Sequence, residues 1–222
     1  NANKYIVVTA HYDHLGVVDG VICPGVVVDI CNGADDNASG TAALFALAKY
    51  FSQNPPANSI IFVAFDAEEE GLKGSEKFVE TPPVGKEAMV VNVNLDMVSR
   101  NNANELYAAG TFHYPFLKPY LDEIAKTAAI KLLLGHDRPN TNKKDWTEDS
   151  DHFPFCKVGI PFIYFGVEDH PDYHEPTDEF KNIHPTFYVR TVETVLETVR
   201  KFDANLAQIE TQKAALKKNC NS

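Results

Sequence analysis

The chain has 222 residues, 44% hydrophobic and 23% charged, the size and composition of one ordinary globular domain with a substantial core. Its net charge of −11 argues against nucleic acid or an anionic membrane as partner, since neither attracts an acidic surface. No apolar run reaches the roughly 20 residues needed to span a bilayer, so no membrane span is expected.

In chain order, strand and helix patterns alternate in the manner of an α/β fold. Lys4–Ala10 (KYIVVTA) is a β-branched run that leads into His11. Residues 16–33 are rich in Gly, Val and Asp and read as a loop or small hairpin. A helical stripe follows over Thr41–Phe51 (Leu44, Phe45, Leu47, Ala48, Phe51), with Ser39 or Gly40 placed to cap it and Pro55 and Pro56 beyond its end. Ser59–Phe65 (SIIFVAF) is nearly continuously apolar, as expected of a strand covered on both faces, and Ala88–Leu95 and Ile160–Phe165 are of the same kind. Tyr114–Ile130 reads as an amphipathic helix, and a polar stretch runs from Gly135 to Ser150. Pro185 opens a final helix with its stripe at Phe187, Val192, Leu196, Val199 and Phe202. Beyond about Leu206 the Ala, Gln and Lys pattern is expected to fray. No repeat or linker divides residues 1–222, so one domain is expected.

The four cysteines, Cys23, Cys31, Cys156 and Cys220, lack the C-x-x-C spacing of a thiolate zinc site. An even count permits disulfides, and Cys23–Cys31 is the first pairing to test. The chain enters its first strand directly after Asn1–Lys4, without a signal-peptide pattern, as a mature or trimmed protein would.

Five metal-type side chains stand where strands should end: His11, Asp36, Glu69, Asp96 and His174. Ligands of open α/β sheets gather beyond the carboxyl ends of strands. Two histidines with three carboxylates suit a pair of divalent first-row ions, zinc above all, and point to a two-metal hydrolase. Each residue also has an ordinary reading. A lone His11 would be a packed or solvent-facing residue. Asp13, two positions on and on the same face of an extended chain, can instead orient its ring. Helix capping explains Ser39 and one of Asp35 and Asp36, but two adjacent acids exceed what a cap needs. The run Asp66–Gly71 (DAEEEG) would ordinarily be a solvated face, and that is the reading for Glu70. Its first acids leave a buried strand, where they repel one another unless cations compensate. One of two adjacent glutamates can ligate while the other holds a water as general base. Asp96 ends a buried strand, a costly place for an uncompensated carboxylate. His170 and His184 read as surface histidines. Ser150, Asp151 and His152 read as a helix cap or a pocket border.

Six segments in order, HYDHLG, GADDNASG, AEEEGLKGS, NLDM, SDHFPF with GIPF, and YHEPTDEF, resemble the M28 zinc peptidases, the family of bacterial leucyl-type aminopeptidases. The resemblance runs from about Tyr5 to about Pro185. It implies a three-layer α/β/α sandwich around a mixed, mostly parallel sheet, the zinc-exopeptidase fold, and two Zn2+ per chain. By motif position, Asp36 would bridge the ions, His11 and Asp96 would complete one site, and Glu69 and His174 the other. Glu68 would be the general base, Asp13 would orient His11, and Tyr173 would help stabilise the oxyanion. Asp151 would border the pocket. Peptides with a free N-terminus would be the substrates, and an exported location would follow the family habit.

Two departures stand out. Family domains usually carry a helix and paired strands ahead of the His11 strand, which this chain is expected to lack. An insertion-like stretch, residues 17–32, separates the first two motifs. The alternatives are glutaminyl cyclisation, which uses one zinc, and a non-catalytic binding domain on the same scaffold. Carboxypeptidase action on acidic substrates is a further one. It would want basic residues at the pocket, of which Arg138, Lys143 and Lys144 are the nearby cluster.

Overall fold

Runs of β-branched and aromatic residues form a six-stranded sheet in the computed structural model, which describes residues 3–17, 30–139, 141–216 and 220. The strands are β1 (Tyr5–His11), β2 (Ser59–Phe65), β3 (Met89–Leu95), β4 (Glu105–Ala109), β5 (Lys131–Leu134) and β6 (Phe162–Gly166). Their spatial order is β2-β1-β3-β6-β4-β5. The pairs β1–β2, β1–β3, β3–β6 and β4–β5 are parallel, and β4 runs antiparallel to β6. The register aligns Tyr5 with Ser59 and His11 with Phe65, so β1, β2, β3 and β6 all end at one edge of the sheet.

Alternation along the strands builds the layers. Ile6, Val8 and Ala10 face a large cluster shared with α1 (Gly40–Gln53), α3 (Lys118–Ala125), α5 (Pro185–Ala204) and α6 (Leu206–Ala215). Val7 faces a smaller cluster with Val79 of α2 (Lys73–Glu80) and Phe155 of α4 (His152–Lys157). The result is the expected α/β/α sandwich around a mixed, mostly parallel sheet.

Several elements differ from the sequence reading. β3 and β6 are buried throughout, but β2 is only half-buried with Ala64 exposed, because no described strand pairs with its outer side. In α1, Ala43, Leu44, Leu47 and Phe51 form the buried stripe. Phe45, one residue and about 100° off that stripe, is 74% exposed. The Tyr114–Ile130 segment is not one helix: a turn over Pro115–Leu117 precedes α3, which has Pro119 in its first turn and ends at Ala125. On α5, Val192 and Leu196 are half-buried, and Thr191, Thr194, Val195 and Thr198 hold the centre of the inner face. The Thr194 and Thr198 hydroxyls donate to carbonyls four residues back, at 2.8 and 2.9 Å, which makes them tolerable there.

The tail does not fray at Leu206. The chain turns at Asn205 and lays α6 on the core with Leu206 and Ile209 buried, while Lys213 Nζ donates to the Met89 carbonyl at 2.5 Å. A disulfide joins Cys156 to Cys220, Cα atoms 5.7 Å apart, a pairing that a separation of 64 residues hides from sequence spacing. The Cys23–Cys31 pairing and most of the loop before Gly33 lie outside the described residues. The ends of that loop meet where the Cys31 N–H donates to the Gly16 carbonyl at 3.3 Å. Among the described residues no helix is long and apolar enough to cross a membrane.

Candidate metal centre

Residues 34–39 form a turn between the sheet edge and α1, with non-helical backbone at Asp36 and Asn37 and a cis bond between them. Four side chains fix it. The Asp178 carboxylate accepts the N–H groups of Asp35 and Asp36 at 3.0 Å. Asp35, fully buried, accepts the N–H and O–H of Ser99 at 2.7 Å and the Nε2–H of His170 at 3.1 Å. Asn37 donates to the Leu95 carbonyl and accepts the Gly40 N–H, both at 2.9 Å, so Asn37 rather than Ser39 caps α1. Ser39 instead donates to the Asp35 carbonyl at 2.7 Å and accepts the Val98 N–H at 3.0 Å.

This turn aims the buried Asp36 carboxylate between two histidines from distant segments. Asp36 Oδ1 lies 3.4 Å from His11 Nε2, and Asp36 Oδ2 lies 3.2 Å from His174 Nε2. His11 Nε2 is also 3.3 Å from Asp96 Oδ1, and His174 Nε2 is 3.5 Å from Glu69 Oε2. Donor atoms about 2.0–2.1 Å from one tetrahedral zinc ion stand roughly 3.3 Å apart. The triad of His11, Asp36 and Asp96 fits one such ion, while Asp36 and Glu69 meet two imidazoles, His14 and His174, either of which could join them about a second. The structure brings together all five ligand candidates.

Asp13 sits behind them in a different manner from the one expected. The His11 Nδ1–H donates to the Asp13 main-chain carbonyl at 3.1 Å, while the Asp13 carboxylate lies farther from that nitrogen, at 3.6 Å. The carboxylate instead accepts the N–H groups of Glu68 at 3.1 Å and Glu69 at 3.2 Å, fixing the turn after β2 where Ala67 is left-handed (φ 55°). Burial opposes ionisation of Asp13, but His11 and these two N–H groups keep its pKa below the ordinary value.

The centre holds more carboxylates than imidazoles, and their pKa values record it. Burial, reinforced by the Asp96 carboxylate, pushes Glu68 up to about 9. Burial also raises Asp96, and pushes Asp151 up to about 7. His11 is raised well above its usual range, because Asp96, Asp13 and Asp36 together outweigh its burial. Asp36 is lowered, His11 and His174 outweighing burial. Such a surplus of buried acid is what bound divalent cations offset.

Glu68 and Tyr173 line the same cleft as Asp36, Glu69, Asp96 and His174. The Tyr173 ring stacks on His174 at 3.8 Å, and burial raises its phenol pKa, keeping the O–H as a donor. Of the basic cluster only Lys144 lines this cleft, and its Nζ is paired with Asp149 at 2.8 Å. Arg138 and Lys143 lie over the rings of Phe112 and Tyr107 instead.

Sequence reasoning missed four supporting residues. His170 is no surface histidine, since it holds Asp35. Asp178 holds the Asp36 backbone. The Ser150 O–H donates to Asp96 Oδ2 at 2.7 Å. His14 Nδ1 lies 2.8 Å from Glu69 Oε1. His14 carried a local signal in its place three residues after His11, and Ser150 in its place in the stretch read as a helix cap or pocket border. His184, the other histidine read as a surface group, is half-buried ahead of α5, its Nδ1 3.3 Å from the Asn101 carbonyl.

The chain is similar to known proteins in sequence and in fold. A profile of peptidase family M28 matches residues 1–199. The aminopeptidase YwaD of Bacillus subtilis is 34% identical over 190 residues, covering 80% of this chain and 36% of that protein. The crystal structure of BSAP, a zinc aminopeptidase from Bacillus subtilis, superposes with a TM-score of 0.70 at 29% identity, over 90% of this chain and 46% of that one. The glutaminyl cyclase of Porphyromonas gingivalis superposes with a TM-score of 0.73 at 23% identity, over 89% of this chain and 73% of that one, a likeness of fold alone. The chain thus spans between a third and a half of the length of these Bacillus subtilis relatives.

Proposed function

Because the chain belongs to peptidase family M28, we propose that it acts as a zinc aminopeptidase, binding two zinc ions and releasing N-terminal residues from peptides. The observation that carries this reading is Asp36, whose two oxygens face two separate ligand triads at 3.2–3.4 Å. His11 and Asp96 would hold one ion, Glu69 and His174 the other. Paired ions supply a water of lowered pKa and a polarised scissile carbonyl.

The residues of the chain do the rest. Glu68 takes the proton of the attacking water and delivers it to the departing amine. Burial and Asp96 raise its pKa, and bound cations would lower it again, leaving a carboxylate free to accept that proton. Asp13 fixes Glu68 and Glu69 together through their N–H groups. Tyr173 donates its O–H to the oxyanion. Asp169 lines the cleft and suits a free α-amino group. Lys144, already paired, leaves little for an acidic substrate side chain, which weighs against the carboxypeptidase reading. The Cys156–Cys220 disulfide supports an exported location, because such bonds persist in oxidising compartments.

Zinc content and hydrolysis of a leucine chromogenic amide, before and after chelator stripping, test this reading. Two zinc ions per chain with activity lost and restored are expected. One zinc with cyclisation of N-terminal glutamine would favour the cyclase whose fold the chain shares, and none would favour a binding domain. Glu68→Gln is expected to keep its zinc and lose roughly 10²–10⁴-fold in kcat. An unchanged kcat would remove Glu68 from the role of base.

A further inference from the structure

His14, whose side chain is only 8% exposed, groups with Asp36 and Glu69, one ligand-type atom of each lying within 4.8 Å of the others. Its Nδ1 lies 2.8 Å from Glu69 Oε1, whereas the other Glu69 oxygen, Oε2, is the one that faces His174. The imidazole has a built seat. It lies against Gly33, where φ is +62° and a Cβ would come within 2.5 Å of His14 Cγ and 2.1 Å of the Asp36 carbonyl oxygen. The Gly16–Cys31 contact joins the two chain segments that make this seat.

The first triad shows the same arrangement with different residues. There Asp96 presents Oδ1 to His11, at 3.3 Å, while Ser150 occupies Oδ2 with a hydrogen bond of 2.7 Å. A carboxylate with one oxygen held by a donor offers the other to a metal in a single direction. The His14 distances favour a hydrogen bond over direct ligation. At 2.8 Å the contact with Glu69 is shorter than the roughly 3.3 Å between two donors on one zinc ion, and Asp36 Oδ2 is 3.8 Å away.

We propose that His14 is the positioning residue of the second zinc site, donating its Nδ1–H to Glu69 Oε1 and so holding Glu69 as a ligand through Oε2 alone. The inference rests on the two-zinc reading. It is tested by zinc titration of stripped protein against a chromophoric chelator, for wild type, His14→Ala and His14→Asn. Asparagine places an amide N–H where Nδ1 stands but offers no ring nitrogen. His14→Ala is expected to bind one zinc as wild type does and the other about 10–100-fold more weakly. His14→Asn is expected to recover most of that loss. Stripped His14→Ala protein melting within a few degrees of wild type would show that the fold is kept. Unchanged affinities in His14→Ala would overturn the proposal. So would an equal loss in both variants, which would make His14 a direct ligand or mere packing. Wild-type protein holding fewer than two zinc ions would bring down the two-zinc reading itself, and the inference with it.

Discussion

A fully buried imidazole away from the ligands makes a pH-dependent contribution whose sign can be worked out. His152 donates its Nε2–H to the Trp146 carbonyl at 2.9 Å and packs against Phe162 and Tyr164, ring centroids 4.4 and 4.7 Å away. Burial drives its pKa down to about 3, from 6.5 in the unfolded chain. Above pH 6.5 both states hold it neutral and it costs nothing. As the pH falls below that value, the unfolded chain takes up a proton that the folded one refuses, and stability is lost until about pH 3. The slope for one proton is about 1.4 kcal/mol per pH unit. His152→Gln keeps a donor for Trp146 and removes the titration. Urea unfolding of stripped protein between pH 7 and pH 5 should show the variant losing stability less steeply, by about that slope below pH 6.5. Parallel profiles for the two proteins would refute the assignment.

At the scale of elements, β3 carries a polar ladder inside an otherwise apolar layer. Asn92, Asn94 and Asp96 alternate onto one face of the strand and its extension. The Asn92 amide donates to Thr9 Oγ1 at 2.9 Å, Thr9 to Asn94 Oδ1 at 2.7 Å, and Asn94 to Ser150 Oγ at 2.9 Å. Ser150 then donates to Asp96, so each hydroxyl has one fixed direction and the chain of bonds ends on a proposed ligand. Thr9→Val keeps the β-branched shape and strips a donor and an acceptor from buried amides. It should cost about 1–3 kcal/mol in denaturant unfolding, with Thr9→Ser recovering most of it. A loss no larger than that of a surface substitution would deny the ladder any role in stability.

The same elements explain what could be read beforehand. The strands β1, β2, β3 and β6 announced themselves through long apolar runs, and the ligand candidates through position at the ends. The short β4 and β5 strands offered too little pattern for that. Gly33, Ser150, Asp178 and His14 act across the chain: His14 meets Glu69 over 55 residues and Asp178 meets Asp35 over 143. No local period records such contacts. Asn92 and Asn94 were hidden in a run that reads as uniformly buried, because their satisfaction depends on β1 and on Ser150.

For the whole molecule, closure depends on the chain's last described stretch. α6 packs beside the start of β3, and Cys220 then bonds Cys156 at the end of α4. The Tyr114 O–H lies 2.9 Å from Cys156 Sγ, so the bridge is also tied to the segment before α3. α4 starts just after Ser150, at the edge of the sheet where the ligand candidates lie, and leads away from it toward the start of β6. The bridge therefore restrains the far side of the molecule rather than the ligands. Linking residues 64 apart removes unfolded-chain entropy worth about 4 kcal/mol in the loop-closure model. The Cys156→Ser, Cys220→Ser double variant should lose about 2–5 kcal/mol in urea unfolding, and reduced wild type should match it. Zinc content per folded chain should stay at the wild-type value in both. If zinc content fell along with stability, the bridge would be holding the ligands in place after all, through α4 and Ser150. If neither changed, α6 alone would suffice to close the fold.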